Sequence, residues 1–414
     1  MNIVVQKFGG TSVQTDETRK VAASHVKRAV FQGKKVVVVV SAMGRKGDPY
    51  ATDTLLGLIR STAMKEMPRE RDMLLSCGEI ISAVVFTDLL CSVGLKAMAL
   101  TGFQAGITTD DTFGEARIVD VDTTKIMDLF SSDYEVIVVA GFQGKSRNDE
   151  ITTLGRGGSD TSATALASSL HAEYVDIYTD VEGVMTADPR IVSNAVTIRT
   201  VTYEEICNFA YQGAKVIHPR AVEIAMQNKI PIYIRSLYKG EIGTTITDQK
   251  GVKERLITGV AHLSHVTQIT VKGEASVHLQ KEVFDTIAKA DISVDFINIQ
   301  PKLIRFTVSD EQKDRAITLL RHKGYEPEAI SGCAKVSAVG AGMTGVPGVA
   351  AKIATALANE GIEILQSADS HTTIWVLIKG EDMEKAVLRI HEAFDLANAT
   401  FPDGRQAKER GESH

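Results

Sequence analysis

The chain has 414 residues, 44% hydrophobic and 24% charged, with a formal net charge of -6. On a prior of about 150 residues per domain, that length predicts two to three domains, and the apolar content suffices for full cores. The acidic balance leaves no basic footprint, which argues against nucleic acid or anionic membrane as partners.

Met1 leads straight into the apolar strand Ile3 to Val5, and no apolar run approaches the ~18 residues of a membrane span, so a reduced cytoplasmic protein is expected. The four cysteines, Cys77, Cys91, Cys207 and Cys333, lack metal or disulfide spacing and read as small core residues. After the first strand, Lys7-Phe8-Gly9-Gly10-Thr11-Ser12 places a lysine and two bare backbone amides where a strand hands over to a helix. That is either a phosphate cradle or an ordinary strand-to-helix turn. The valine run Val36 to Val40 predicts a buried strand, as do Ala97 to Leu100, Val136 to Ala140, Tyr174 to Tyr178 and Ile232 to Ile234. Alternating with helical patterns, these predict a parallel-rich α/β sheet sandwiched by helices over residues 1–240. Glu79 reads as a first-turn carboxylate of a helix from Ile80 to Leu90.

A second glycine loop, Leu154-Gly155-Arg156-Gly157-Gly158-Ser159-Asp160, feeds a helix predicted from Thr161 to His171. Arg156 can grip a carboxylate or phosphate with its planar fork, and Asp160 can cap the helix, orient the lysine or hold an ammonium group. A third polar cluster, Thr179-Asp180, ends the strand Tyr174 to Tyr178, where open α/β sheets bind ligands. Asp188-Pro189-Arg190 follows it.

Residues 241–255 dissolve into turn and charged residues and read as a linker. Beyond them Ala288, Ile292, Val294, Ile304, Val308, Glu311 and Ala316 repeat at an offset of 70 as Ala358, Ile362, Ile364, Ile374, Ile378, Glu381 and Ala386. Each unit reads as a ferredoxin-like βαββαβ layout. The second unit lacks a closing strand before a polar tail at 396–414, and Leu256 to Ala261 could fill that edge. The expected division is therefore 263–333 for the first unit and 256–262 plus 334–395 for the second, with the first nested inside. Trp375 reads as sheet packing.

Together, KFGGTSV (from Lys7), Ser41-Ala42-Met43-Gly44, Cys77-Gly78-Glu79, Gly141-Phe142-Gln143-Gly144, LGRGGSD (from Leu154), Tyr178 to Val184 and Gly213-Ala214-Lys215-Val216-Ile217-His218-Pro219 resemble the aspartokinases of the amino acid kinase family. The C-terminal repeats resemble ACT domains. The resemblance covers about residues 1–395 and implies ATP-dependent phosphorylation of L-aspartate on its side-chain carboxylate, with Mg2+, under amino acid feedback. It assigns Lys7, Arg156 and Asp160 to catalysis. Ser41, Thr52, Glu79, Arg156, Gly157, Gly158 and Ser159 would hold substrate, with Glu79 at its ammonium group and Arg156 at its α-carboxylate. Lys7, Phe8, Gly9, Gly10, Thr179, Asp180, Arg190 and Lys215 would hold nucleotide, with no metal-ligating side chain assigned. Ser293, Val294 and Asp295 would meet an effector, meso-diaminopimelate in preference to lysine. His218 reads as structural. A homodimer through the ACT units is expected. Glutamate 5-kinase, acetylglutamate kinase and uridylate kinase share related loops, and a non-catalytic amino acid sensor would keep the fold. The KFGGTSV and LGRGGSD strings and the intact charge cluster favour the aspartokinase reading.

Overall fold

Near-continuous β-branched runs form the centre of an eight-stranded sheet. In the computed structural model, which describes residues 1–59, 67–214, 216–239, 241–248, 256–274, 277–343 and 345–399, the strand order is Thr200–Val201, Ile242–Ile246, Ile232–Ser236, Val175–Thr179, Ile3–Phe8, Lys35–Val40, Val136–Ala140, Ala97–Leu100. All neighbours are parallel except Ile232–Ser236 with Ile242–Ile246. Val36 to Val40 are fully buried, and their alternation feeds two cores. Val37 and Val39 join Ile137, Leu166 and Ile177 on one face; Val36, Val38 and Val40 join Val26, Phe86 and Leu90 on the other. Burying each such side chain stabilises by roughly 1.5–3 kcal/mol, which is why a strand with no polar face is tolerated here.

The helix carrying Glu79 runs Pro68–Ser92, not from Ile80, so Glu79 lies in its interior and the first-turn reading is corrected. By length and hydropathy this helix could cross a membrane, contrary to the expectation that nothing approaches a span. Here it is laid against the sheet, with Phe86 and Leu90 in the core. A small four-stranded sheet, Ile118–Val121, Ile107–Thr109, Gln143–Ser146, Ile151–Thr153, escaped the sequence reading.

The C-terminal half is a single six-stranded sheet ordered Asp295–Gln300, Leu303–Ser309, Gly259–Lys272, Glu328–Val339, Thr373–Lys379, Gln366–Asp369. Gly259–Lys272 is bulged between Leu263 and Val266: its first part lies beside Lys335 to Val339, and Val266 to Lys272 lie beside Leu303–Ser309. Gln366 on one edge strand donates to the carbonyl of Phe296 on the other at 2.5 Å, so the helix-free face curls on itself. Trp375 sits there, its ring 6.2 Å from that of Phe296. Leu396, placed in the polar tail by sequence, is buried in the second unit's core. Residues 249–255 of the linker and 400–414 of the tail lie outside the described residues. The cysteine reading is also corrected: only Cys333 is buried, whereas Cys77 and Cys91 are exposed. The two halves are stitched by Thr186 to His391 at 2.9 Å, Asn208 to Thr372 at 2.6 Å and Thr258 to Glu205 at 2.6 Å.

Candidate active site

The glycine loops converge at the carboxyl ends of three adjacent strands. Lys7 stands in register with Val39 on one side and Ile177 on the other. Its Nζ lies 2.6 Å from Asp160 Oδ1, with the two side chains 13% and 12% exposed. Gly9 closes over that ammonium, 3.6 Å from the position a Cβ would take. At Gly10 a Cβ would sit 2.7 Å from the carbonyls of Ala42 and Gly44, so only bare backbone fits. Gly10–Ser12 make a single 3-10 turn, and the helix begins only at Asp16, capped by Thr15. The expectation that the strand hands over directly to a helix at these glycines is therefore corrected.

The second loop does reach a helix directly: Gly157, at φ +69°, is the N-cap of Gly158–Ser169. A side chain at Gly157 would meet the His218 ring and Cβ at 2.2 Å. Ser159 and Asp160 are buried in the helix's first turn, and Asp160 reaches Lys7 rather than capping the helix. Ser41 Oγ donates to Ser159 Oγ at 3.0 Å, joining the loop after Lys35–Val40 to the second glycine loop. His218 caps its own helix, Pro219–Gln227, accepting from Arg220 N at 3.4 Å. Burial lowers the His218 pKa, partly opposed by the charge of Asp160.

Glu79 is 2% exposed. One carboxyl oxygen accepts from Ala42 N at 3.1 Å; the other has no partner among the described residues. Burial pushes this carboxyl up to about 8, only partly offset by its backbone hydrogen bonds. Thr52 opens the short helix Thr52–Leu56 and is half-buried, and Phe8 is buried in the core against Tyr178. Arg156 projects from its loop, exposed.

Not every predicted residue joins this cluster. Arg190 is 86% exposed and its guanidinium is spent on Asp188, Nη2 to Oδ2 at 2.5 Å. Thr179 donates to Asp180, which is ion-paired with Arg45 at 2.7 Å. Lys215 lies outside the described residues. Ser293, Val294 and Asp295 are in the C-terminal half, where the Asp295 carboxylate is paired with the nearly buried Lys335. Sequence reasoning missed Arg45 and Asp72. Asp72 accepts from Thr153 N at 2.7 Å, Thr153 Oγ1 at 2.8 Å and Gly114 N at 2.9 Å, anchoring the strand that enters the second glycine loop. Its separation of seven residues from Glu79 puts both on one helix face, a signal that was readable once the helix was known to start at Pro68.

Residues 2–236 match the amino acid kinase family, and residues 328–392 match the ACT domain. The chain is 55% identical to Aspartokinase 1 of Bacillus subtilis over 96% of its length and 100% of the relative's. It is 43% identical to an aspartokinase of Geobacillus stearothermophilus, covering 96% of this chain and 98% of that one. Escherichia coli aspartokinase III in complex with aspartate and ADP superposes with a TM-score of 0.76 at 26% identity, covering 95% of this chain and 99% of that one. The same enzyme with lysine and aspartate gives 0.72 at 27% identity, with the same coverage. The chain belongs to the amino acid kinase family, as one of its aspartokinases.

Proposed function

We propose that this chain transfers the γ-phosphoryl group of ATP to the side-chain carboxylate of L-aspartate, giving 4-phospho-L-aspartate and ADP. This is the entry to the aspartate-derived amino acids. The observation that carries the reading is the chain of contacts Lys7 to Asp160, Ser41 to Ser159 and Glu79 to Ala42 N, which ties both glycine loops to the loop after Lys35–Val40 and to the helix Pro68–Ser92.

A carboxylate is ionised at neutral pH, so no general base is needed. An aspartate carboxylate oxygen attacks the γ-phosphorus as the bond to the bridging oxygen breaks, and ADP leaves with the electron pair; no proton moves. The difficulty is bringing two anions together in line. Lys7 meets the charge on the transferring phosphoryl, with the Gly9 and Gly10 amides beside it, and Asp160 holds that ammonium in place. Phe8, Thr179, Asp180, Arg190 and Lys215 shape the nucleotide side. Among the described residues no group of three His, Cys, Asp or Glu could hold a metal ion, and no side chain is assigned to the Mg2+ that would accompany ATP. When bound, that ion neutralises negative charge on the phosphoryl oxygens.

Glu79 faces the substrate ammonium, Arg156 its α-carboxylate, and Ser41, Thr52, Gly157, Gly158 and Ser159 line the rest. Because Glu79 titrates at about 8 in the empty site, binding aspartate at pH 7 must release its proton. The aspartate KM should therefore fall as pH rises from 6.5 toward 8, by up to ~10-fold per unit, and level off above that. Glu79→Gln should raise KM and flatten this profile; a KM independent of pH in the wild type rejects the assignment.

Arg156→Lys should raise the aspartate KM far more than the ATP KM, since a point charge cannot reproduce a planar fork on a carboxylate. Equal effects on both substrates would move Arg156 to the phosphate side.

Feedback acts through the ACT half. Asp295 would meet the effector's ammonium group in exchange for Lys335, with Ser293 and Val294 beside it, and meso-diaminopimelate is favoured over lysine. The chain works in the cytoplasm as a homodimer or higher oligomer paired through these units. Release of ADP in a panel of aspartate, glutamate, N-acetylglutamate and UMP tests the acceptor: turnover confined to aspartate supports the reading, and preference for another acceptor overturns it.

A further inference from the structure

The loop after Lys35–Val40 carries Gly44-Arg45-Lys46-Gly47, to which neither the sequence reading nor the proposed mechanism gives a role. Arg45 Nη2 lies 2.7 Å from Asp180 Oδ2, with the two side chains 70% and 51% exposed. An exposed ion pair of this kind contributes little to stability, so its interest lies in where it runs. Arg45 follows the strand on one side of Ile3–Phe8, and Asp180 follows Val175–Thr179 on the other side. The pair therefore crosses the carboxyl end of the middle strand, the strand that delivers Lys7, Gly9 and Gly10.

The arginine loop is also built onto the first glycine loop. Gly44 N donates to Gly10 O at 3.0 Å. Asp48 Oδ2 accepts both from Arg45 N at 2.7 Å and from Gln14 Nε2 at 3.0 Å. The backbone of Arg45 is thus held while its guanidinium stays exposed to solvent. Among the described residues Asp180 is the carboxylate that pairs with it, and a polyphosphate arriving over Gly9 and Gly10 offers a denser set of anionic oxygens to the same planar fork.

The geometry points to Arg45 as a further nucleotide-binding residue: an arginine that spans the mouth of the phosphate site while it is empty and exchanges Asp180 for the polyphosphate of ATP when it fills. This rests on the reading that ATP phosphates sit at the Lys7 loop. No bond is made or broken in the exchange. Arg45 would act on binding, since it is absent from the buried cluster around Lys7 and Asp160.

The test is Arg45→Ala and Arg45→Lys in the full-length protein, read as KM for ATP, KM for aspartate, Tm, and equilibrium ADP binding by calorimetry without aspartate. Arg45→Ala should weaken ADP binding and raise the ATP KM by about 10-fold, leave the aspartate KM within about 2-fold and leave Tm unchanged, with Arg45→Lys recovering part of the loss. An ATP KM and ADP affinity within about 2-fold of wild type would overturn the proposal and reduce the pair to a surface bridge. An equal rise in both KM values would also overturn it, placing Arg45 on the acceptor side. The ADP arm needs no turnover, so failure of the aspartate reaction in the wild type is a separate result.

Discussion

Lys7→Ala is expected to lower kcat by more than ~100-fold, with the protein still folded. The lysine's attraction is strongest for the phosphoryl group in flight, so its loss raises the barrier more than it weakens binding. Removing it also leaves Asp160 half of a lost ion pair in a nearly closed site. The double variant Lys7→Ala/Asp160→Asn separates the two effects: it should regain any Tm lost by the single variant without regaining activity. Steady-state kinetics with near-normal kcat in Lys7→Ala would show that another group supplies the catalytic cation.

A second large effect is expected away from the chemistry. Asp176 is fully buried on Val175–Thr179 and paired with Arg235 at 2.5 Å, with Gln6 donating at 3.3 Å. Burial raises the Asp176 pKa, opposed first by the charge of Arg235 and then by its hydrogen bonds. Arg235→Leu strips that charge away and should destabilise the protein by about 3–5 kcal/mol at pH 7. The sign with pH follows from the lost charge: without Arg235 the folded Asp176 carboxyl is raised further, so the deficit relative to wild type grows as pH rises from the wild-type folded pKa to the variant's and is smallest below both. Tm measured at pH 4 and pH 7.5 checks this; an equal deficit at both would mean that lost packing, and not a stranded carboxylate, is responsible.

The central strands were legible because a strand buried on both faces shows as an unbroken β-branched run, and Val36 to Val40 is such a run. The glycine loops were legible because few other residue types tolerate the close approach seen at Gly10 or the φ of Gly157. The small sheet was not. Its strands, such as Ile151–Thr153, are three or four residues long and polar, too short to establish a period of two. The start of Pro68–Ser92 was hidden because Arg69 to Asp72 look like a solvated loop until Asp72 is seen turned inward onto Thr153. Read from its neighbours alone Glu79 looks like a dipole partner for the same reason, and only the family resemblance placed it at the substrate ammonium group. Arg45 escaped because a lone arginine between glycines has no signature; its meaning comes from Asp180 lying two strands away in the sheet.

Trapping the product with hydroxylamine tests the central claim most directly. An acyl phosphate on the aspartate side chain converts to the β-hydroxamate, whereas free phosphate or a phosphorylated amine does not. With ATP, Mg2+ and L-aspartate, the account predicts β-aspartyl hydroxamate formed in step with ADP, and none from Lys7→Ala. ADP released without hydroxamate, or hydroxamate formed from glutamate in place of aspartate, would contradict it.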